Sequence, residues 1–195
     1  MQAEKKPFQV AVAQSELDDL KSRLARVRWP NEPSDNEAWD WGTNLSYMQR
    51  LISYWRDEFD WRKAEMELNL FPQFTIDLPT IDETHTIHFI HENGSGRAPL
   101  PLILTHGWPS TYREFLDVVE PLAHPERFGG NAEDGMDIIV PSLIGYGFSS
   151  KPKSPVGPAK IAELWHRLMH DGLGYKRYAA QAGDWGSFVT SRLAL

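Results

Sequence analysis

Ala182-Gly183-Asp184-Trp185-Gly186 is the stretch whose reading decides the fold of this chain. Tyr178 to Ala182 has the make-up of a short strand and the residues from Trp185 onward that of a helix, so Asp184 falls on the turn between them. A strand that passes at once into a helix forces unusual backbone angles at the turn. Side chains two before and two after that point meet the neighbouring strand and helix, and must be small. Ala182 and Gly186 meet that requirement. An acidic residue here is either a nucleophile presented at the end of a sheet or a helix N-cap that accepts from the next amides. On five residues alone, the cap is the commoner meaning.

A second stretch shifts the balance. Leu102-Ile103-Leu104-Thr105 is an apolar strand running into His106-Gly107-Trp108-Pro109-Ser110. Where an elbow carries a nucleophile, the loop after an earlier strand supplies one backbone N–H of the oxyanion hole, and the residue after the nucleophile supplies the other. Those donors are Trp108 and Trp185. The His106 side chain reads as a hydrogen-bonded core histidine and not as a catalytic one. Two motifs in the required order, each at the carboxyl end of a strand, favour Asp184 as a nucleophile.

Outward from these motifs the chain has two textures. Up to Phe71-Pro72 it is helical and aromatic-rich. Ser15 to Asp18 reads as the capped start of a first helix ended by Trp29-Pro30, and Asn31 to Asp35 reads as a loop. Ser46 reads as the cap of a second helix with Met48, Leu51, Ile52, Trp55 and Phe59 on one stripe, and Trp61 to Asn69 as a third. From Phe74 strands take over: Phe74–Leu78, Thr86–His91, Leu100–Thr105, Asp137–Val140 and Tyr178–Ala182. Helices at Thr111–Leu122 and Lys160–His170 lie between the later ones. Alternation of this kind predicts an α/β fold, a mostly parallel sheet with helices on both faces.

Composition narrows the function. A net charge of −7 offers no footing for phosphate, which argues against nucleic acid and anionic membrane surfaces as partners. The absence of cysteine excludes disulfides, thiolate zinc sites and thiol nucleophiles. Without a membrane-span or signal-peptide pattern, a soluble cytoplasmic protein is the simplest expectation.

The motifs together resemble epoxide hydrolases of the microsomal type, which have an α/β-hydrolase fold preceded by a characteristic N-terminal segment. The resemblance rests on Arg28-Trp29-Pro30, Tyr54-Trp55-Arg56, Asp60-Trp61-Arg62, Phe71-Pro72-Gln73-Phe74-Thr75 and Ile87-His88-Phe89-Ile90-His91. It continues through His106-Gly107-Trp108-Pro109, Val140-Pro141-Ser142-Leu143, Gly145-Tyr146-Gly147-Phe148-Ser149 and the elbow from Gln181 to Ser187. It implies a helical arm over residues 1–72, opening a segment that continues to about residue 118, and the first half of the hydrolase core over 73–195. Three features depart from the pattern: Ile144 where the family more often has proline, Ala182 where it usually has glycine, and a connection from Leu78 to His85 longer than a tight turn.

The resemblance implies an epoxide substrate, a vicinal diol product, a covalent ester on Asp184, and no cofactor or metal. Trp108, Pro109 and Phe148 are expected beside the substrate, and a homo-oligomer is compatible with the completed protein. It also implies a base histidine with an acidic partner and two cap tyrosines, all beyond the elbow in family order. The closing Ser191-Arg192-Leu193-Ala194-Leu195 carries no helix-stop signal and reads as a helix cut in its middle. The stretch is therefore expected to be an inactive N-terminal piece. The alternatives are an aspartate-nucleophile haloalkane dehalogenase, against which the arm argues, and a non-catalytic fragment or binding module. Glu163, His166 and His170 share a helical face but read as solvated surface. His85, His88 and His91 alternate unevenly and do not read as a ligand set, and the arm's tryptophans are expected to be buried.

Overall fold

A computed structural model describes residues 4–33 and 39–194, so the end of the loop expected at Asn31 to Asp35 lies outside the described residues, as does Leu195. The described residues form two compact units, one from residues up to Gln9 together with Phe71 onward, the other from Val10 to Leu70.

The larger unit holds a six-stranded sheet in the order β1-β2-β3-β5-β4-β6. Its strands are β1 (Lys6–Phe8), β2 (Gln73–Pro79), β3 (Thr84–Glu92), β4 (Leu100–Thr105), β5 (Met136–Pro141) and β6 (Ala179–Ala182). The sheet is mixed: β1, β2, β3 and β5 pair antiparallel in succession, while β4 lies parallel to both β5 and β6. β1 has no counterpart in the sequence reading because Lys-Pro-Phe shows no alternation. It is held by register with Gln73–Thr75 and by Lys6 against Asp77 at 2.9 Å. The connection from Leu78 to His85 is tighter than expected. Both strands extend into it, and the Thr80 amide and hydroxyl donate to the Glu83 carbonyl across a four-residue turn.

β4 and β5 are apolar without alternation because both their faces are covered. Ile139 belongs to the main core with Ile76, Ile87, Phe89 and Ile103, on which Leu164, Trp165, Leu168 and Met169 pack. Its neighbours Ile138 and Val140 are equally buried and point to the opposite face. Two helices, α5 (Pro158–Arg167) and α6 (Asp184–Leu193), flank the parallel strands, and α4 (Leu116–Ala123) packs on β5 and β3.

The smaller unit holds α1 (Gln14–Leu24), α2 (Leu45–Asp57) and α3 (Trp61–Leu68). Two expected caps are corrected. α1 starts at Gln14 with no side-chain cap, so Ser15 lies inside it, and it ends at Leu24 rather than Trp29. α2 is capped by Asn44, whose side chain accepts from the Tyr47 amide, and Ser46 lies within the helix. Asp60 caps α3. Asn69, the C-terminal cap of α3, and Glu65 on the helix accept from the Val10 and Val12 amides at 2.8 and 2.7 Å and clasp the first residues of the unit. The expected burial of the tryptophans fails here: Trp29 and Trp55 are 38% and 43% exposed, and only Trp61 is half-buried. α2 has no buried residue, because three short helices cannot close over an indole-rich stripe. No helix among the described residues is long and apolar enough to cross a membrane.

Candidate active site

Asp184 is the first residue of α6 and has φ of +48°, a left-handed conformation that an aspartate adopts only under constraint. The constraint is the elbow. A Cβ on Gly186 would collide with the Thr105 carbonyl oxygen and lie 2.9 Å from that of His106, so α6 can approach the end of β4 only with glycine there. The N-cap position belongs to Gly183, with no side-chain cap, so the side chain of Asp184 is free for another partner.

That partner is the loop after β4. The Trp108 amide donates to Asp184 Oδ1 at 2.8 Å. Backbone donation from Trp185, then from Trp108, holds the Asp184 carboxyl below its ordinary value against a smaller opposing cost of burial. The α6 N-terminus favours the same anion. Asp184 itself is exposed at the surface, flanked by Trp108 and Trp185, 62% and 46% exposed, and by Phe188, whose ring lies 6.4 Å from that of Trp185. The Trp108–Pro109 peptide is cis and Pro109 is exposed.

The close approach depends on Gly107. A Cβ there would sit 2.5 Å from Asp184 Oδ1 and 2.6 Å from its Cβ, a requirement invisible when the loop is read by itself. The loop is anchored from behind. His106 is fully buried, its Nδ1 donating to the Gly107 carbonyl and its Nε2 accepting from the Leu143 amide at 3.0 Å, a neutral structural imidazole. Trp165 Nε1 donates to Thr105 Oγ1 at 3.0 Å and pins the last residue of β4.

Phe148 stands apart from this group. Its ring packs against Phe8, His88 and Tyr112 at centroid distances of 5.2, 5.3 and 6.2 Å. His85, His88 and His91 are all buried on β3 in separate surroundings, His88 between Gln73 and Ser142, and His91 between Lys5 and Tyr175.

Two glycine substitutions separate fold from site. Gly186→Ala drives a methyl into backbone that cannot yield, and should cost about 1–3 kcal/mol of stability, read as a lower urea midpoint. A methyl on Gly107 meets the Asp184 side chain first, its Cβ as well as its carboxylate, so Gly107→Ala should displace the carboxylate and lower the midpoint less than Gly186→Ala, whose methyl meets backbone.

Comparison with known proteins agrees with this geometry. Residues 5–115 match the family described as epoxide hydrolase N terminus, and residues 101–195 match the alpha/beta hydrolase fold. A candidate epoxide hydrolase of Stigmatella aurantiaca is 46% identical over 189 residues, covering 96% of this chain and 42% of its own length. Epoxide hydrolase 1 of Oryctolagus cuniculus is 36% identical over 194 residues, covering 97% and 41%. The crystal structure of juvenile hormone epoxide hydrolase from the silkworm Bombyx mori superposes with a TM-score of 0.85 at 30% identity, covering 98% of this chain and 44% of that one. The chain thus spans under half the length of these relatives. With the N-terminal segment matched over more than half of its residues and the elbow on a hydrolase sheet, this chain belongs to the epoxide hydrolase family.

Proposed function

We propose that this chain supplies the nucleophile and oxyanion hole of an epoxide hydrolase, which opens an epoxide through a covalent ester on Asp184 and releases a vicinal diol. The observation that carries the reading is the Asp184 carboxylate held at the elbow by the Trp108 amide, with Trp185 as its second donor. A hydroxyl nucleophile needs an adjacent base, whereas a carboxylate is already ionised at neutral pH. With Oδ1 engaged by Trp108, Oδ2 is the oxygen left to attack an epoxide carbon. The C–O bond of the strained ring breaks, its electron pair goes to the ring oxygen, which takes up a proton from solvent to become a hydroxyl, and an alkyl ester remains on Asp184.

Oδ1 is then the ester carbonyl oxygen and already lies against the Trp108 amide. When water adds to that carbonyl, charge grows on Oδ1 where that amide points, and each such donor contributes roughly 3 kcal/mol to the transition state. The lowered Asp184 pKa adds a pH signature: the nucleophile stays ionised, so ester formation should be flat between about pH 6 and pH 8. A rate that climbs with a midpoint inside that window would assign attack to another group.

The second step needs a general base. None of the seven histidines has a hydrogen bond or ring contact with Asp184 among the described residues, and His88, His91 and His106 are buried in other networks. These 195 residues should therefore be captured by an aryl epoxide once and not turn over. Intact-mass spectrometry and diol quantification check this. Stoichiometric adduct without sustained diol release is expected, and repeated turnover would show a base that this inventory omits.

A further inference from the structure

Nothing within the Gly107–Trp108 peptide itself fixes which way its N–H points. Gly107 has no Cβ because Asp184 fills that place, with Oδ1 2.5 Å and its own Cβ 2.6 Å from where one would stand. Without a side chain, residue 107 also lacks the steric restraint that limits rotation of the peptide beside it. A peptide turned over would present its carbonyl oxygen to the Asp184 carboxylate and carry the Trp108 N–H away from it. Close approach of the nucleophile and a fixed donor thus make opposite demands on residue 107, and the peptide has to be held from outside.

His106 is placed to hold it. The Leu143 backbone N–H can only donate, and it meets His106 Nε2 at 3.0 Å, so that nitrogen is the acceptor and the ring proton sits on Nδ1. The Nδ1–H donates to the Gly107 carbonyl oxygen at 3.0 Å. That oxygen and the Trp108 N–H belong to one planar trans unit and point in opposite directions. Holding the oxygen behind the loop therefore aims the N–H at Asp184 Oδ1, 2.8 Å from the nitrogen. The Ser110 amide donates to the same carbonyl at 3.1 Å and is a second grip. The imidazole is itself fixed, fully buried and with the Tyr146 ring edge-on at 5.5 Å. Burial lowers its pKa, against the smaller influences of the Gly107 carbonyl and the Glu114 charge, and keeps it neutral with one tautomer. Donation to the oxygen end of a peptide also polarises its N–H end and strengthens the bond to Oδ1.

We propose that His106 is a positioning residue of this site, which fixes the Gly107–Trp108 peptide with its N–H toward Asp184 and keeps the oxyanion hole formed before substrate arrives. It touches no reacting atom and acts through Trp108. This role rests on the reading of Trp108 as an oxyanion donor. His106 follows β4 and Leu143 follows β5, so the same ring joins the hole to the neighbouring strand end. A histidine kept only to join those two loops would depend on its Leu143 contact, and the two contacts can be removed separately.

Side-chain amides make the separation. An Asn amide reaches to the place of Nδ1 and can still donate to the Gly107 carbonyl, whereas a Gln amide reaches to the place of Nε2 and can still accept from Leu143. Carbon-13 NMR titration of the Asp184 carboxyl in the 195-residue chain reads the donor without substrate. His106→Gln should move the Asp184 midpoint up toward the ordinary carboxylate value and shift the Trp108 amide proton upfield, while His106→Asn keeps both near the parent. A second readout follows the ester left by epoxide capture. Hydroxylamine adds to the ester carbonyl through nitrogen, the acyl C–O bond breaks, and Asp184 becomes a hydroxamic acid as the diol departs, so no protein base is needed. Cleavage should be about tenfold slower in the Gln variant, part of the roughly 10²–10³-fold that a whole donor contributes, and near the parental rate in the Asn variant. Circular dichroism and the urea midpoint register the stability that either change removes. Nitrogen-15 shifts of the parent ring add a check that requires no variant to fold: an Nε2–H tautomer overturns the proposal. Equal Asp184 midpoints in the parent and the Gln variant overturn it too, as does a loss in the Asn variant as large as in Gln. Failure of the parent to capture an epoxide would count against the hydrolase reading instead, and would leave the NMR comparison intact.

Discussion

Asp184→Asn should abolish covalent capture of an epoxide, while the chain still folds. The amide is nearly isosteric and can still accept from the Trp108 amide through its carbonyl oxygen, so the elbow keeps its shape. What it loses is the anion. An amide nitrogen has no available lone pair, and its oxygen is now the one held by the Trp108 amide. The expected loss is on the order of 10⁶-fold, the scale seen when a nucleophile is removed from a preorganised site. After a rapid quench, mass spectrometry should place the adduct of the parent chain on the peptide containing Asp184 and find none in the variant. The intact mass of the variant must be followed, because hydrolysis of the introduced amide would regenerate the acid. An adduct on any other residue, or capture by the variant at the parental rate, would remove Asp184 from its proposed role.

The relation between β4, its loop and the elbow was legible because each rests on a local requirement with few solutions. Gly186 belongs to the tight strand-to-helix turn around Asp184, where a side chain would also press on the Ala182 Cβ four residues earlier, and an apolar run such as Leu102–Thr105 fits a strand covered on both faces. The features that escaped depend on partners distant in sequence. Gly107 looks like an ordinary turn glycine until Asp184, 77 residues later, is placed against it. Trp165 reads as one more apolar helix residue, yet its indole N–H fixes Thr105. The Phe148 ring packs on Phe8, a contact the sequence does not announce because Phe8 lies on a strand too short to leave a pattern.

Helix starts were the least legible part of the arm, for a related reason. Ser15 and Ser46 are good caps by residue type, but Gln14 and Leu45 are already helical, and Asn44 competes successfully with Ser46 for the capping position. Trp55, on the apolar stripe of α2, was expected to be buried with the arm's other tryptophans, as amphipathic helices usually bury such a face. In the structure Leu51, Tyr54, Trp55 and Phe59 remain substantially exposed. Periodicity identifies which face a helix offers, and says nothing about whether a partner covers it.

Acid should destabilise this chain through His88 and His91. His88 is fully buried, its Nε2 facing Gln73 Oε1 at 3.0 Å and its Nδ1 facing Ser142 Oγ at 2.9 Å, and burial pushes its pKa down to about 3. His91 is 7% exposed, its Nδ1 against Lys5 Nζ and its Nε2 against Tyr175 Oη, and burial, then the Lys5 charge, lowers it to about 4, partly opposed by Asp137. In the unfolded chain both sit near 6.5. Below that value the unfolded state binds protons that the folded state refuses, so stability falls as pH drops from about 6.5 toward 4 and is fully present above it. At pH 4.5 each histidine has cost on the order of 2–3 kcal/mol, and the pair about 5 kcal/mol, comparable with the whole stability of a marginal domain. His106 shifts in the same direction. Asp184 and Asp77, held below the ordinary carboxylate value, lose their contribution only at lower pH, so they do not explain a change in this window. Urea unfolding at pH 7, 6, 5 and 4.5 reads the effect. His88→Gln, which cannot take up a proton, should start less stable at pH 7 yet lose only about half as much between pH 6.5 and 4.5. If parent and variant lose stability in parallel across that interval, His88 is not a source of the acid sensitivity, and the buried neutral imidazole at the centre of the sheet has been assigned the wrong charge.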